Sequence, residues 1–153
     1  MIRKTLILIA LFILTSCGFS PIYNASEKVN YNINFVEEKG DNSINNKIIS
    51  EISKLTDNNS KNIFNIELIS NYSKSIISKD AKGSATNYEI IVETQFNIEF
   101  EGKEKVVNIN EKQNIKKISD IFEQRNYENT LKKNFAISIA NKLNIELLSI
   151  KWF

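Results

Sequence analysis

The chain offers few side chains that could do chemistry. Its 153 residues include no histidine and one cysteine, Cys17. Imidazole bases, His-ligated metals, intramolecular disulfides and CxxC zinc or redox sites are therefore excluded. Carboxylate, Ser-Lys and point-charge chemistry remain. Glu89, Glu93 and Glu99 lie at even spacings and are the nearest approach to an acid/base set. General acid–base work needs groups whose environments push their pKa values apart, and carboxylates aligned on an open sheet are ordinarily a solvated surface. Ser73-Lys74-Ser75 and Ser78-Lys79 set hydroxyl and amine side by side rather than one helical turn apart, so no activated nucleophile is indicated. The glycines Gly18, Gly40, Gly83 and Gly102 are isolated, and none heads a phosphate-cradling loop. No catalytic residue, metal or cofactor is expected.

Lysine supplies the remaining chemistry. Lys74, Lys79 and Lys82 flank one polar turn, with Lys103 and Lys105 near the next. Such a cluster either solubilises a loop or serves as point charges for phosphates or anionic lipid head groups. No basic stripe interleaves with aromatics, so nucleic-acid binding is not supported.

The N-terminus carries the most specific signal. Met1-Ile2-Arg3-Lys4 is basic, the following run to Leu14 is apolar, and Thr15-Ser16-Cys17-Gly18 is small. This is the pattern of an export signal. The apolar run spans about 10 residues where a transmembrane helix needs roughly 20. Leu14-Thr15-Ser16-Cys17 resembles the bacterial lipobox, which implies cleavage between Ser16 and Cys17 and covalent diacylglyceryl and N-acyl lipid on Cys17. Buried methylenes contribute about 0.8 kcal/mol each, so several chains anchor a protein stably. The resemblance divides the chain into a removed signal peptide (1–16), an acylated N-terminus with an extended tether (17–28) and one domain (29–153). Gly18 stands where lipoproteins retained at the inner membrane commonly carry Asp, which favours the outer membrane, facing the periplasm. Without residues 1–16 the chain holds 18 Lys+Arg and 18 Asp+Glu in 137 residues, a side-chain net charge of zero.

Periodicity supplies the elements that must position the lysines and carboxylates. Val29, Tyr31, Ile33 and Phe35 alternate with asparagines, a half-buried strand that Lys39-Gly40-Asp41-Asn42-Ser43 breaks. Ile44, Ile48, Ile52 and Leu55 draw one stripe on a helix from about 43 to 57. Phe64, Ile66 and Leu68 begin a second strand running toward Ile77. Tyr88 through Phe100 alternates as a third, its even residues apolar and its odd residues rich in Glu and Asn. Glu101-Gly102-Lys103 leads into a fourth strand carrying Val107 and Ile109. Residues 111–126 are polar and ambiguous. Leu131, Phe135, Ile139, Leu143 and Leu147, spaced by four, mark a closing helix from about 127 to 149. The order β-α-β-β-β-α predicts an α+β two-layer sandwich: a four-stranded mixed sheet, its first two strands parallel through a right-handed crossover and the rest an antiparallel meander. Both helices cover one face, and the other face is polar.

Three segments bear a family resemblance. Cys17-Gly18-Phe19-Ser20-Pro21-Ile22-Tyr23 resembles the CGF-x-P-L-Y opening of the LPS-assembly lipoprotein family (LptE), alphaproteobacterial type. Ala85-Thr86-Asn87-Tyr88-Glu89-Ile90 is similar to its A-T-R strand entry, and Phe135-Ala136-Ile139-Ala140-Leu143 to its closing helix. The resemblance implies two helices on a four-stranded sheet. It also implies a non-enzymatic role in lipopolysaccharide transport and assembly, as plug and support subunit of the outer-membrane LptD barrel. Asn87 replaces the family's Arg, so cationic contact with lipopolysaccharide would fall to Lys79 or Lys82. The rival expectation is an auxiliary lipoprotein of another, ABC-type envelope lipid-transport system.

Overall fold

A computed structural model describes residues 29–149. The export signal, the cleavage position at Ser16, the lipidation site at Cys17 and the tether lie outside the described residues. The observed order is β1 (Asn32–Gly40), α1 (Asn42–Leu55), β2 (Ile63–Lys79), β3 (Ala85–Phe100), β4 (Lys103–Lys116) and α2 (Ile121–Ser149). Spatial order in the sheet follows chain order, with β1 parallel to β2 and the pairs β2–β3 and β3–β4 antiparallel. The α+β sandwich read from the sequence is the observed architecture.

Even residues of β2 and β3, including Phe64, Ile66, Leu68, Ile90, Val92, Phe96 and Ile98, are buried under the helices. The stripes Ile44, Ile48, Ile52 on α1 and Leu131, Phe135, Ile139, Leu143, Leu147 on α2 close over them. Fully burying side chains of this size contributes about 1.5–3 kcal/mol each, so this layer dominates the fold's stabilisation. Polar groups inside the layer are few. Thr94 Oγ1 donates to the Ile109 carbonyl at 2.6 Å, and the Asn45 amide donates to the Lys39 carbonyl at 3.0 Å, tying the first turn of α1 to the end of β1.

Three boundaries differ from the sequence reading, each for a local reason. β1 continues past Phe35 to Gly40 through a register shift between Phe35 and Glu37 that leaves Val36 outside the alternation. Helix α1 starts where Asp41 caps it, its carboxylate accepting from the Ile44 N–H at 2.9 Å. The ambiguous segment 111–126 resolves into the end of β4 and the first turns of α2. Asp120 accepts from the Glu123 N–H at 2.8 Å and so caps α2 six residues earlier than its buried stripe announces. Ile121 and Phe122 in that first turn are 70% and 71% exposed, so periodicity could not reveal them as helical. No helix among the described residues is long and apolar enough to cross a membrane.

Candidate binding site

Lys79 and Lys82, singled out in the sequence, sit at the far end of the long β2–β3 hairpin. Lys79 is paired with Ala85 at the last rung, and Lys82 lies in the turn. Asp80 builds that turn. Its carboxylate accepts from the N–H groups of Lys82 (2.9 Å) and Ser84 (2.8 Å), while its own N–H donates to the Ser84 carbonyl. Gly83 supplies the left-handed backbone, φ +81°, that the closure requires. Just below, Ser78 and Thr86 hydroxyls are 2.5 Å apart, and the Asn87 amide donates to Ser78 Oγ at 2.7 Å. The Asn87 side chain is thus structural. Its half-buried amide braces the hairpin at the position where the family resemblance implies a cation.

The fold supplies that cation from elsewhere. Lys116 is the register partner of Asn87, and the Lys117 N–H donates to the Thr86 carbonyl at 2.8 Å. Lys79, Lys82, Lys116 and Lys117 are all exposed and form no ion pair among the described residues. Exposed Ile76 and Ile77 lie on β2 beside them, and α2 begins with Ile121 and Phe122 four residues after Lys117. The end of the sheet therefore combines unpaired ammonium groups with uncovered apolar side chains. That pairing suits a ligand carrying phosphates or carboxylates on a hydrocarbon body. Sequence inspection missed Lys116, Lys117, Ile121 and Phe122 because they lie in the polar segment with no period. The signal that could have found them is the antiparallel register, which brings residue 116 opposite 87.

The other sequence-singled lysines do not join this end. Lys74 lies on the helix side of β2, hydrogen-bonded to Glu128 of α2 and 4.2 Å from the Tyr88 ring centre. Burial alone would raise the Glu128 carboxyl, but hydrogen bonds from Lys74 and Gln124 prevail and hold it below the usual carboxylate range. Lys103 and Lys105 belong to the opposite end of the sheet, where Lys105 reaches Glu146 of α2 at 3.0 Å.

On the uncovered face, Glu89, Glu93 and Glu99 share the odd positions of β3 as the alternation predicts, but they do not converge. At about 3.3 Å rise per residue they stand roughly 13 and 20 Å apart. Each is engaged laterally: Glu89 with Lys112 (2.5 Å), Glu93 with the Asn71 amide (3.3 Å) and Glu99 with the Asn65 amide (3.3 Å). Asn34 donates to Asn65 (3.0 Å), so one polar chain crosses β1, β2 and β3. A second runs from Lys39 through Glu67 (2.6 Å) to Asn97 (2.7 Å) and Gln95 (2.8 Å). The Lys39 hydrogen bond, then that of Asn97, lowers the Glu67 carboxyl, and the same Lys39 ammonium is raised in turn by Glu67 and Glu37. This face is a cross-linked polar surface, interrupted by Val36, Ile63, Ile69, Ile91 and Val106. Among the described residues no set of three acidic or cysteine side chains is gathered to hold a metal.

No protein-family model and no curated protein matches the chain. Solved structures do share its fold. Rare lipoprotein B from Shewanella oneidensis aligns with a TM-score of 0.57 at 16% identity, covering 76% of this chain and 95% of that one. A protein from Caulobacter crescentus described as a lipoprotein aligns with a TM-score of 0.51 at 11% identity, covering 75% and 86%. At these identities the likeness is one of fold.

Proposed function

We propose that this chain is a non-enzymatic envelope lipoprotein, acylated on Cys17 and held at the periplasmic side of the outer membrane. There it serves lipopolysaccharide transport and assembly as the plug and support subunit of the LptD barrel. The observation that carries the reading is the uncovered sheet face. A two-layer sandwich of one sheet and one helix layer leaves the second face of its four strands uncovered, and here the side chains on that face are tied across strands by amide–amide, amide–carboxylate and ion-pair contacts. Such a surface remains satisfied in a water-filled lumen, whose walls in outer-membrane barrels are polar. The lipobox-like Leu14-Thr15-Ser16-Cys17 and the Cys17–Tyr23 segment support the same reading, as does the fold shared with rare lipoprotein B.

Within this role the hairpin end contacts lipopolysaccharide. Lys79 and Lys82, with Lys116 and Lys117, meet its phosphates, while Ile76, Ile77, Ile121 and Phe122 meet its acyl chains. The test is a mild-detergent pull-down of the tagged chain at natural expression level. A large outer-membrane barrel is expected among the recovered proteins. Recovery with an inner-membrane transporter instead would overturn the reading in favour of the ABC-type alternative. Intact mass checks the anchor: an unmodified Cys17, or cleavage other than after Ser16, would end the lipoprotein assignment.

A further inference from the structure

The two edges of the sheet are unlike. β1, one edge, is blunted by the register shift at Phe35/Glu37 and by the consecutive charges Glu37, Glu38 and Lys39. β4, the other edge, pairs with β3 without a register shift from Lys103 to Lys116, and its outer side is met by no further strand among the described residues. A long regular edge calls for a cover, because its outward N–H and C=O groups are otherwise a template for a foreign strand.

The last turns of α2 leave a groove along that edge. Residues 107–110 of β4 line one side and Lys142, Ile145 and Glu146 of α2 the other, around a space of about 300 Å³. Two ion pairs bracket it, Lys142 with Glu111 at 2.8 Å and Lys105 with Glu146 at 3.0 Å. These bordering charges are satisfied within the chain, so what the groove offers a further occupant is apolar. Ile145, 55% exposed, stands between the two pairs beside Val107 and Ile109.

The sequence holds an occupant of that chemistry at the right distance. Ile150-Lys151-Trp152-Phe153 follows Ser149, apolar at three of four positions, and Trp152 is the one tryptophan of the chain. Ile145 lies about 6 Å back along the helix axis from Ser149, and three extended residues span about 10 Å, so a chain that reverses after Ser149 brings Trp152 level with Ile145. The helix end favours reversal. Ser149 Oγ donates to the Glu146 carbonyl at 2.7 Å, the acceptor that the Ile150 N–H would use to extend α2. The last turn of α2 also holds no basic residue, and a reversal keeps the Lys151 ammonium close to its outward carbonyls. From the geometry we infer that residues 150–153 turn back across the edge of β4 and seat Trp152 in this groove, beside Ile145. The indole N–H, which takes an acceptor when its ring is buried, meets the outward carbonyls of β4 there. The edge is then closed by the chain's own residues. The inference rests on α2 and β4 alone and stands apart from the function proposed above.

The test is tryptophan fluorescence, with acrylamide as quencher, of the full chain purified from its own membranes in mild detergent; Trp152 is the only tryptophan that reports. Short-wavelength emission and slow quenching are expected of the wild-type chain. Ile145→Glu sets a charge in the groove at a position outside the core and should lower the ratio of docked to undocked segment at least about tenfold, read as a red shift and faster quenching. Ile137→Glu, on the same helix about 12 Å away and outside the groove, should change neither. Deleting residues 150–153 should speed amide exchange over residues 107–110 while residues 64–68 stay protected. Long-wavelength, freely quenched emission from the wild-type chain, equal responses to the two glutamates, or unchanged exchange after the deletion would each overturn the inference. Shielding that Ile145→Glu leaves intact would overturn it by placing the indole elsewhere, and shielding lost on dilution would do so by giving the groove to a second copy.

Discussion

Gly40 is the position where one added methyl group tests the most structure. It ends β1 with φ +95°, opposite Ser70 of β2, and an ideal Cβ there would sit 1.7 Å from the Ser70 carbonyl oxygen and 2.8 Å from its carbon. Both are backbone atoms, so no side chain can swing away. Real contacts begin near 3.0 Å, and the two strands must part by more than an ångström to reach that separation. The next residue, Asp41, donates its N–H to the same Ser70 oxygen at 3.3 Å while its carboxylate caps α1. In Gly40→Ala the parting therefore breaks that hydrogen bond and disturbs the cap, on top of the strain of a left-handed alanine. Left-handed strain costs about 1–2 kcal/mol, a lost cap about 1 and a broken backbone hydrogen bond about 1, so the sum is about 3–4 kcal/mol. For a domain of this size that lowers the melting temperature by roughly 10–20 °C. The control is Gly83→Ala, where φ is +81° but a Cβ meets nothing within 4 Å, so only the strain of about 1–2 kcal/mol applies. Urea unfolding of both variants followed by circular dichroism reads the difference. Equal losses from the two substitutions would refute the steric reasoning.

Four further substitutions have expected outcomes. The Tyr72 hydroxyl is buried without a hydrogen-bond partner among the described residues, and burial, aided by Glu128 and Asp41, pushes it up to about 12; Tyr72→Phe should leave melting unchanged or raise it. Because the folded value exceeds the unfolded one near 10, that substitution should also reduce the loss of stability seen as pH rises from 10 toward 12. Tyr31→Phe, by contrast, removes a hydroxyl that donates to Asn144 of α2 and should cost about 1 kcal/mol in the same melting assay. Glu128→Gln should cost about 0.5–1 kcal/mol at pH 7. Its folded carboxyl lies below the unfolded 4.5, so the stabilisation is complete above that pH and fades as pH falls through the folded value. Denaturant midpoints at pH 7 and pH 3 should therefore differ less in Glu128→Gln than in the wild-type chain. Asp120→Ala should fray the first turns of α2 at a cost of about 1 kcal/mol, visible as faster amide exchange over residues 121–126.

Alternation and four-residue stripes are properties of the chain alone, because burial on one face demands them whatever the neighbours. Phe64–Leu68, Tyr88–Phe100, Ile44–Ile52 and Leu131–Leu147 were therefore legible as strands and helices, and with them the α+β class, the parallel β1–β2 pair and the uncovered polar face. The candidate site was legible only in part. Lys79 and Lys82 announced themselves by lying in a turn, yet nothing local distinguishes them from Lys74, which the fold spends on Glu128 and Tyr88. Lys116, Lys117, Ile121 and Phe122 carry no periodic signal, since an exposed residue is under no burial constraint. Only the antiparallel register brings residue 116 opposite 87, and only the Asp120 cap starts a helix where the apolar stripe is absent. The sequence by itself determined which faces are dry. Tertiary structure decided which charges are left unpaired, because pairing depends on distances between segments far apart in the chain.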